Sequence, residues 1–134
     1  MQTICCRLVK INKSLREQNL VIYTWGNASA LAEHGRCLYI KPSGVPFHKL
    51  TGVDLAKVNL VTGEHMSGLK PSVDTPSHIE LYKAFPEIKS VVHTHSKYCT
   101  IFAQAKRSIP CLGTTHADYF YGDIPVVEDL LPAE

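Results

Sequence analysis

The sequence has no apolar run of the length that a membrane-spanning helix needs, which is about 18 residues. Its first stretch, MQTICCRLVKINKSLREQ, carries charges throughout and lacks the apolar centre of a secretory signal peptide. Lysines and arginines are scattered and form no basic block with interleaved aromatic residues. We therefore expect a cytoplasmic protein with neither a membrane nor a nucleic acid as a partner.

Cysteine pairs with the spacing of a zinc or redox motif are also absent. The five cysteines are an odd number and include no C-x-x-C pair, which argues for reduced thiols rather than a disulfide framework or a Cys-rich zinc site. Cys99 and Cys111 stand among apolar neighbours, so we expect both to be buried. The 134 residues are 45% hydrophobic with a formal charge of +2, which predicts a single domain over residues 1–134 with a modest core.

Helix and strand patterns alternate along the chain. Apolar residues at helical spacing, from Ile4 to Leu15, predict an amphipathic helix over residues 2–18. The stretches LVIYTW, RCLYIK and IKSVVHTH indicate strands, and VDLAKVNLVTG indicates a strand with a hairpin near Gly63. DTPSHIELYKAF, with Asp74 or Thr75 as its cap, and SKYCTIFAQAK indicate helices, whereas IPCLGTTHADYFYGDIPVV indicates a short strand with loops. This mixture predicts an α/β domain.

Two histidines one residue apart end the apolar stretch IKSVVHTH. In a strand, His93 and His95 would project from the same face, and neutral imidazoles suit Zn²⁺ and related divalent ions. The pair also precedes a predicted helix, where open α/β sheets place their binding residues. One histidine packed in a core and another at a strand end would need no metal. Because a catalytic zinc needs three protein ligands, the pair indicates at most half of a metal site.

Four further segments combine turn residues with polar side chains: TWGNAS, KPSGV, KPSVDT and GTTHADYFYGD. The first two are Gly-containing turns after predicted strands, and they offer backbone N–H groups together with Asn27, Ser29, Lys41 and Ser43. In the third, Ser72 and Asp74 stand at a predicted helix N-terminus, which favours an anion. Each segment taken alone is most often only a turn. Together they suggest a phosphate cradle beside a metal.

These motifs carry a resemblance to a known family. TWGNASA, IKPSGV, PSVDTPSHIELYKAFPEIKSVVHTHSKYCTIFAQA and IPCLGTTHADYFYGDIP resemble the L-ribulose-5-phosphate 4-epimerases, members of the class II aldolase family that includes L-fuculose-phosphate aldolase. The similarity runs from about residue 5 to residue 125. The combination of GN-x-S, K-P-S-G, D-T-x-x-H, H-T-H-S and G-T-T-H-A-D-Y-F-x-G-D is far more specific than any one part, and the last motif indicates the epimerase branch.

The resemblance implies a three-layer α/β/α fold around a mixed, largely antiparallel central sheet, assembled as a homotetramer. It implies that the substrate, a sugar phosphate, is held by Gly26, Asn27, Ser43, Gly44, Ser72 and Val73. It assigns a metal, usually Zn²⁺ or another divalent ion such as Mn²⁺, to Asp74, His93 and His95, and the catalytic acid/base role to Asp118.

The implied reaction is a retro-aldol cleavage followed by rejoining. The metal would chelate the ketose C2 carbonyl and C3 hydroxyl and stabilise the enediolate that forms when the C3–C4 bond breaks. The released aldehyde would turn its face and condense again, which interconverts L-ribulose 5-phosphate and D-xylulose 5-phosphate. Asp118 would move a proton to or from the C4 oxygen. The alternatives are an L-fuculose-phosphate-type aldolase and an inactive remnant that only binds metal or phosphate.

The sequence departs from the family pattern in three places. Val73 stands where the epimerases usually carry a second serine, which removes one hydroxyl donor from the phosphate pocket. After Pro125 the stretch VVEDLLPAE replaces the expected continuation, and the chain ends at Glu134, well before a family member normally does. In the family, the later part supplies a third histidine ligand, a tyrosine acid/base from a neighbouring subunit and C-terminal helices. We therefore expect a truncated member of the family, with its activity reduced or lost.

Overall fold

A computed structural model describes residues 4–32 and 35–127 of the chain. Contacts within the chain divide it into two compact units, residues 1–95 and residues 96–134. The single domain expected from the composition stays a prediction. In the described ranges, no helix combines the length and the apolar character that crossing a membrane requires.

The first unit is built on a five-stranded sheet. Its strands are β1 (Asn27–Leu31), β2 (Cys37–Ile40), β3 (Ala56–Asn59), β4 (His65–Ser67) and β5 (Ser90–His93), in the spatial order β4-β3-β2-β1-β5. Every pairing between these strands is antiparallel. The first four strands pair in sequence order, whereas β5 pairs with the other side of β1. The first residue of β1, Asn27, therefore lies opposite the last residue of β5, His93.

Helices cover both faces of this sheet. The helices of the first unit are α1 (Ile4–Glu17) and α2 (Thr75–Ala84), with a short 3-10 helix at Phe47–Lys49. α1 packs Leu8 and Leu15 into one hydrophobic cluster with Ala28, and α2 packs Ile79 and Tyr82 into a second cluster. Alternate residues of β2 contribute to the two clusters, so the helices lie on opposite faces. The three-layer α/β/α fold with a largely antiparallel sheet is confirmed.

Asn12 joins α1 to the sheet through a buried side chain. Its Nδ2 donates to the carbonyl oxygens of Leu8, at 2.9 Å, and Ala28, at 3.3 Å. Its Oδ1 accepts from the backbone N–H of Ala28 at 2.8 Å. Asparagine has a poor propensity for a helix interior, but here it satisfies backbone groups of β1 that α1 shields from water.

One predicted strand is wrong. LVIYTW forms turns, and the strand begins only at Asn27, in the GNAS stretch that was expected to break it. The N–H of Trp25 donates to Ile22 O at 2.9 Å, and Tyr23 has a φ of 52°, outside the β region. The apolar residues of this stretch serve packing instead, because Val21 is buried in the cluster beneath α1. The remaining predicted strands and helices of this unit are present, with shorter bounds.

The second unit contains α3 (Lys97–Gln104) and α4 (Thr114–Tyr119), with an isolated antiparallel bridge between Ile109 and Ile124. The segment GTTHADY was expected to be a loop but forms α4, whose first turn is closed by the Ala117 N–H donating to Gly113 O at 3.1 Å. Neither helix has a buried residue. The predicted burial of Cys99 is wrong because this thiol is exposed, and Cys111 is half-buried.

We predict that Asn12→Ala lowers the free energy of unfolding by about 1–3 kcal/mol, because it leaves the N–H and C=O of Ala28 without their side-chain partner in a buried position. Urea denaturation followed by circular dichroism measures this change. Lys10→Ala, at an exposed position of the same helix, is the matched control and should change stability by less than about 0.5 kcal/mol. Equal effects of the two substitutions would show that the Asn12 bonds contribute nothing.

Candidate active site

The N-terminal end of α2 meets the start of β1 around the carboxylate of Asp74. Asp74 Oδ2 accepts a hydrogen bond from Asn27 Nδ2 at 2.6 Å and another from Ser72 Oγ at 3.1 Å. Asn27 Nδ2 also lies 3.2 Å from Ser72 Oγ. Asp74 occupies the N-cap position of α2, as predicted, but its side chain makes no capping hydrogen bond. Its carboxylate is held against β1 instead.

Asn27 has one buried atom whose hydrogen-bonding capacity is unused. The residue is 2% exposed, and its Nδ2 faces the Asp74 carboxylate, which fixes the orientation of the amide. No hydrogen-bond donor in the described part of the chain reaches Asn27 Oδ1. A buried acceptor left without a partner costs about 1–3 kcal/mol. Among the described residues this atom is the only buried side-chain oxygen or nitrogen without a hydrogen-bond partner.

The two histidines of the HTH motif lie side by side. His93 ends β5, and His95 follows two residues later, just beyond the strand. Their rings stack with centroids 4.8 Å apart and planes 9° from parallel. His93 Nδ1 lies 3.3 Å from Asp74 Oδ2, and the ring of Trp25 lies 5.8 Å from that of His95. The structure thus brings the three residues assigned to a metal into one chain of contacts.

The protonation of His95 suits metal binding. Burial lowers the pKa of His95, the neighbouring His93 lowers it further, and the Asp74 carboxylate partly opposes both effects. A lowered pKa favours the neutral imidazole, which is the form that binds a metal. Two imidazoles and a carboxylate are also ligands that Zn²⁺ accepts. Across residues 4–32 and 35–127, however, no three His, Cys, Asp or Glu side chains converge into a complete metal site.

The turn at Ser43 and Gly44 runs beside the segment that leads into α2. The Ser43 N–H donates to Lys70 O at 3.0 Å, and Pro42 pairs with Pro71 in an isolated antiparallel bridge. Both turn residues are exposed to solvent. The structure therefore joins this turn to the Ser72 segment through the backbone, although the two are far apart in sequence.

Lys41, at the start of the same turn, is buried although it carries an amine. Its Nζ donates to Thr24 O at 3.0 Å and to Pro42 O at 3.3 Å, and it lies 4.6 Å from the centre of the Phe47 ring. Burial lowers the pKa of Lys41 to about 8, so the amine remains mostly protonated at neutral pH. Lys41 consequently holds the turn before Asn27 against the turn after β2.

The resemblance assigns two further residues. Val73 is 79% exposed and has no polar side-chain atom to offer a ligand. Asp118 is exposed on α4, in the second unit, so its role as acid/base stays a prediction.

Sequence reasoning named Ser29 as a polar residue of a turn but missed its two buried partners on α2, His78 and Tyr82. Ser29 Oγ lies 2.7 Å from His78 Nδ1 and 2.7 Å from Tyr82 Oη. Burial lowers the pKa of His78 to about 4, with the Asp74 carboxylate opposing the shift. Asp74, His78 and Tyr82 are four residues apart in turn, a spacing that places side chains on one face of a helix. That spacing was the signal in the sequence from which a shared helix face for these three side chains could have been predicted.

Gly26 allows the backbone of β5 to approach the start of β1. Its φ is 81°, in the left-handed region. A Cβ atom at this position would lie 2.5 Å from Val21 Cγ1 and 2.9 Å from His93 O. Both distances are too short for carbon contacts, so the residue that precedes Asn27 has to be glycine.

We predict that Gly26→Ala destabilises the chain by at least about 1 kcal/mol more than Gly35→Ala, because the added methyl group overpacks a closed site. Gly35 is the matched control, since it also has a positive φ, of 65°, but no atom of the described residues lies within 4 Å of the place that an added methyl group would take. Thermal denaturation of the two variants measures the difference. Equal losses would mean that backbone strain alone accounts for both, and that His93 O does not constrain position 26.

The sequence is similar to a known protein family and to a curated relative. The sequence matches the Class II Aldolase and Adducin N-terminal domain over residues 6–134. It is 47% identical over 129 residues to the probable L-ribulose-5-phosphate 4-epimerase UlaF of Mycoplasma pneumoniae, an alignment that covers 96% of this chain and 53% of that relative. The chain therefore spans about half the length of the curated relative that it matches.

Solved structures show the same fold. YgbL of Escherichia coli matches with a TM-score of 0.81 and 29% identity over 98% of this chain and 64% of YgbL. L-fuculose-1-phosphate aldolase of Thermus thermophilus matches with a TM-score of 0.72 and 27% identity over 90% of this chain and 60% of the aldolase. With a sequence match over nearly its whole length, the chain belongs to the class II aldolase and adducin N-terminal domain family.

Proposed function

We propose that the chain carries the metal- and phosphate-binding part of an L-ribulose-5-phosphate 4-epimerase site. The observation that carries this proposal is the contact of the Asp74 carboxylate with both Asn27 and His93, in a chain 47% identical to a probable epimerase of this kind. The reaction would interconvert L-ribulose 5-phosphate and D-xylulose 5-phosphate by breaking and re-forming the C3–C4 bond. As the family resemblance implies, the active protein would be a homotetramer.

A divalent metal, Zn²⁺ or Mn²⁺, would be held by Asp74, His93 and His95. When bound, it would supply Lewis-acid polarisation of the ketose oxygens next to the bond that breaks. The neutral imidazole favoured at His95 supports this assignment, as does the short distance between the His93 ring and the Asp74 carboxylate.

The polar groups around the metal residues suit a sugar phosphate. Asn27 would contribute through its amide, whose Nδ2 holds the Asp74 carboxylate. The phosphate would lie between the Ser43–Gly44 turn and Ser72, near the N-terminus of α2, where the helix dipole favours an anion. Gly26 would keep Asn27 close to His93, and Val73 would contribute only its backbone.

Proton transfer belongs to a different part of the chain. Asp118 would take a proton from the C4 hydroxyl as the C3–C4 bond breaks and return it when the bond re-forms. Inversion at C4 also requires a second acid/base on the opposite face of the aldehyde. Since the relative is about twice as long as this chain, we assign that group to the part of the relative that lies outside the match.

A second candidate is binding of metal and phosphate without turnover. It is favoured by one observation: the residues assigned to metal and phosphate all belong to the first unit, whereas the assigned acid/base, Asp118, belongs to the second. An aldolase that cleaves L-fuculose 1-phosphate would use the same metal and phosphate groups, but the 27% identity to such an aldolase supports it less than the 47% identity supports an epimerase.

We predict that the purified chain binds Zn²⁺ and that His93→Asn weakens this binding at least about tenfold, because even losses beyond the direct ligands cost about 10–100-fold in metal affinity. Isothermal titration calorimetry measures both affinities. The matched control is His48→Asn, at an exposed histidine of the short 3-10 helix, which should bind Zn²⁺ like the unmodified chain. Identical affinities for all three proteins would remove the metal assignment.

We predict that the chain alone shows no measurable interconversion of the two pentulose phosphates with added Zn²⁺, since missing acid/base groups alone cost about 10²–10⁴-fold in rate. A chimera in which this chain replaces the matched region of the Mycoplasma pneumoniae relative should be active, and His93→Asn should abolish its activity. A coupled assay for D-xylulose 5-phosphate measures turnover, with the intact relative as the positive control. An inactive, folded chimera beside an active relative would refute the proposed function.

A further inference from the structure

The buried contacts of Ser29 suggest a role for residues that touch neither metal nor substrate. We propose that Ser29, His78 and Tyr82 form a positioning network that fixes the first turn of α2 against β1, and so holds the Asp74 carboxylate at His93. This inference rests on the proposed function for its consequence, but the network itself is a feature of the first unit alone.

The network is short and shielded from water. Ser29 is 0% exposed, His78 2% and Tyr82 3%. Ser29 Oγ lies 2.7 Å from a nitrogen of His78 and 2.7 Å from the hydroxyl of Tyr82. A serine hydroxyl donates one hydrogen bond and accepts two, so it can satisfy both partners at once. Because these groups are buried, loss of the Ser29 hydroxyl leaves the His78 ring nitrogen without this partner, whereas Tyr82 keeps its hydrogen bond with the Val91 backbone.

The pairing of the strands places this network next to the candidate site, two residues further along β1. On β1, Asn27 and Ser29 are two residues apart and share a face. Their partners on β5 are His93 and Val91. On α2, Asp74 and His78 lie one turn apart, and the backbone N–H of His78 donates to Asp74 O at 3.1 Å.

Two parallel rows of contacts therefore cross from α2 to the sheet. The first row joins Asp74 to Asn27 and His93. The second joins His78 and Tyr82 to Ser29. The first row is partly open to solvent, with the side chains of His93 and Asp74 38% and 27% exposed. The second row is closed, so it can fix the spacing of the first against thermal motion.

The first test uses the metal-free chain and long-range ¹H–¹⁵N spectra of its histidine rings. Ser29→Ala removes both contacts of the hydroxyl with little change in volume. We expect it to shift the ring resonances of His93 as well as those of His78, whereas the exposed His48 stays unchanged. Ser77→Ala, the same substitution at an exposed position of α2, is the matched control and should move none of them. A folded Ser29→Ala variant with unchanged His93 resonances would overturn the inference.

The second test measures Zn²⁺ affinity by calorimetry. Ser29→Ala should weaken binding about 10–100-fold, as expected for loss of a group that orients a metal ligand. In an Asp74→Asn background the same substitution should have no further effect on affinity, because the ligand that it acts through is gone. A purely structural role would instead lower stability in both backgrounds and leave Zn²⁺ affinity unchanged. That result would also overturn the inference.

Tyr82→Phe provides a second variant in case Ser29→Ala fails to fold, because it removes one contact and keeps the Ser29–His78 bond. It should produce a smaller shift of the His93 resonances in the same assay. The inference and the proposed function fail separately. An inactive chimera with shifted His93 resonances would refute the function and keep the network, whereas an active chimera with no shift in either variant would refute the network alone.

Discussion

The candidate site depends on one hydrogen bond, from Asn27 Nδ2 to Asp74 Oδ2, at 2.6 Å. The two residues are 47 positions apart in the sequence, and one begins β1 while the other precedes α2. A hydrogen bond to a carboxylate contributes about 1.5–3 kcal/mol, more than a bond between neutral groups. Because Asn27 also lies opposite His93 in the β-ladder, its single amide fixes the carboxylate relative to the imidazole. As a consequence, the Asp74 side chain does not cap α2, the helix that it precedes.

The strand order makes this contact possible. If β5 had paired with β4 at the far edge, the HTH motif would lie several strands away from Asn27, at about 4.7–4.9 Å for each strand crossed. The observed order puts β5 beside β1, and Gly26 permits the close approach of the two backbones at the end of that pairing. Asn12 and Lys41 then satisfy backbone groups of β1 and of the adjoining turns, so the segment that carries Asn27 is held in place at both of its ends.

The sequence patterns predicted the parts of this fold that depend on local periodicity. The amphipathic α1, the hairpin of β3 and β4 and the position of Asp74 at the start of α2 all follow from spacing and turn residues. The strand prediction for LVIYTW was wrong because composition cannot distinguish a strand from an irregular segment that buries Val21 beneath a helix. The Ser29 contacts were missed because a buried serine looks like any small residue until the partner helix is in place. The resemblance supplied the residue assignments, which spacing alone left open.

Binding and turnover place different demands on this chain. In the proposed function, metal and phosphate affinity would depend on groups that the first unit holds together locally: Asp74, His93, Asn27 and the turns joined by the Pro42–Pro71 bridge. Proton transfer would depend on Asp118, which belongs to the second unit, and on a second group on the opposite face of the aldehyde. Turnover is also more sensitive than binding to the placement of these groups. A misplacement of about 1 Å costs roughly 10²-fold in rate, whereas a mobile ligand still contributes to affinity. In the proposed function, binding would therefore tolerate a larger displacement of these groups than turnover would.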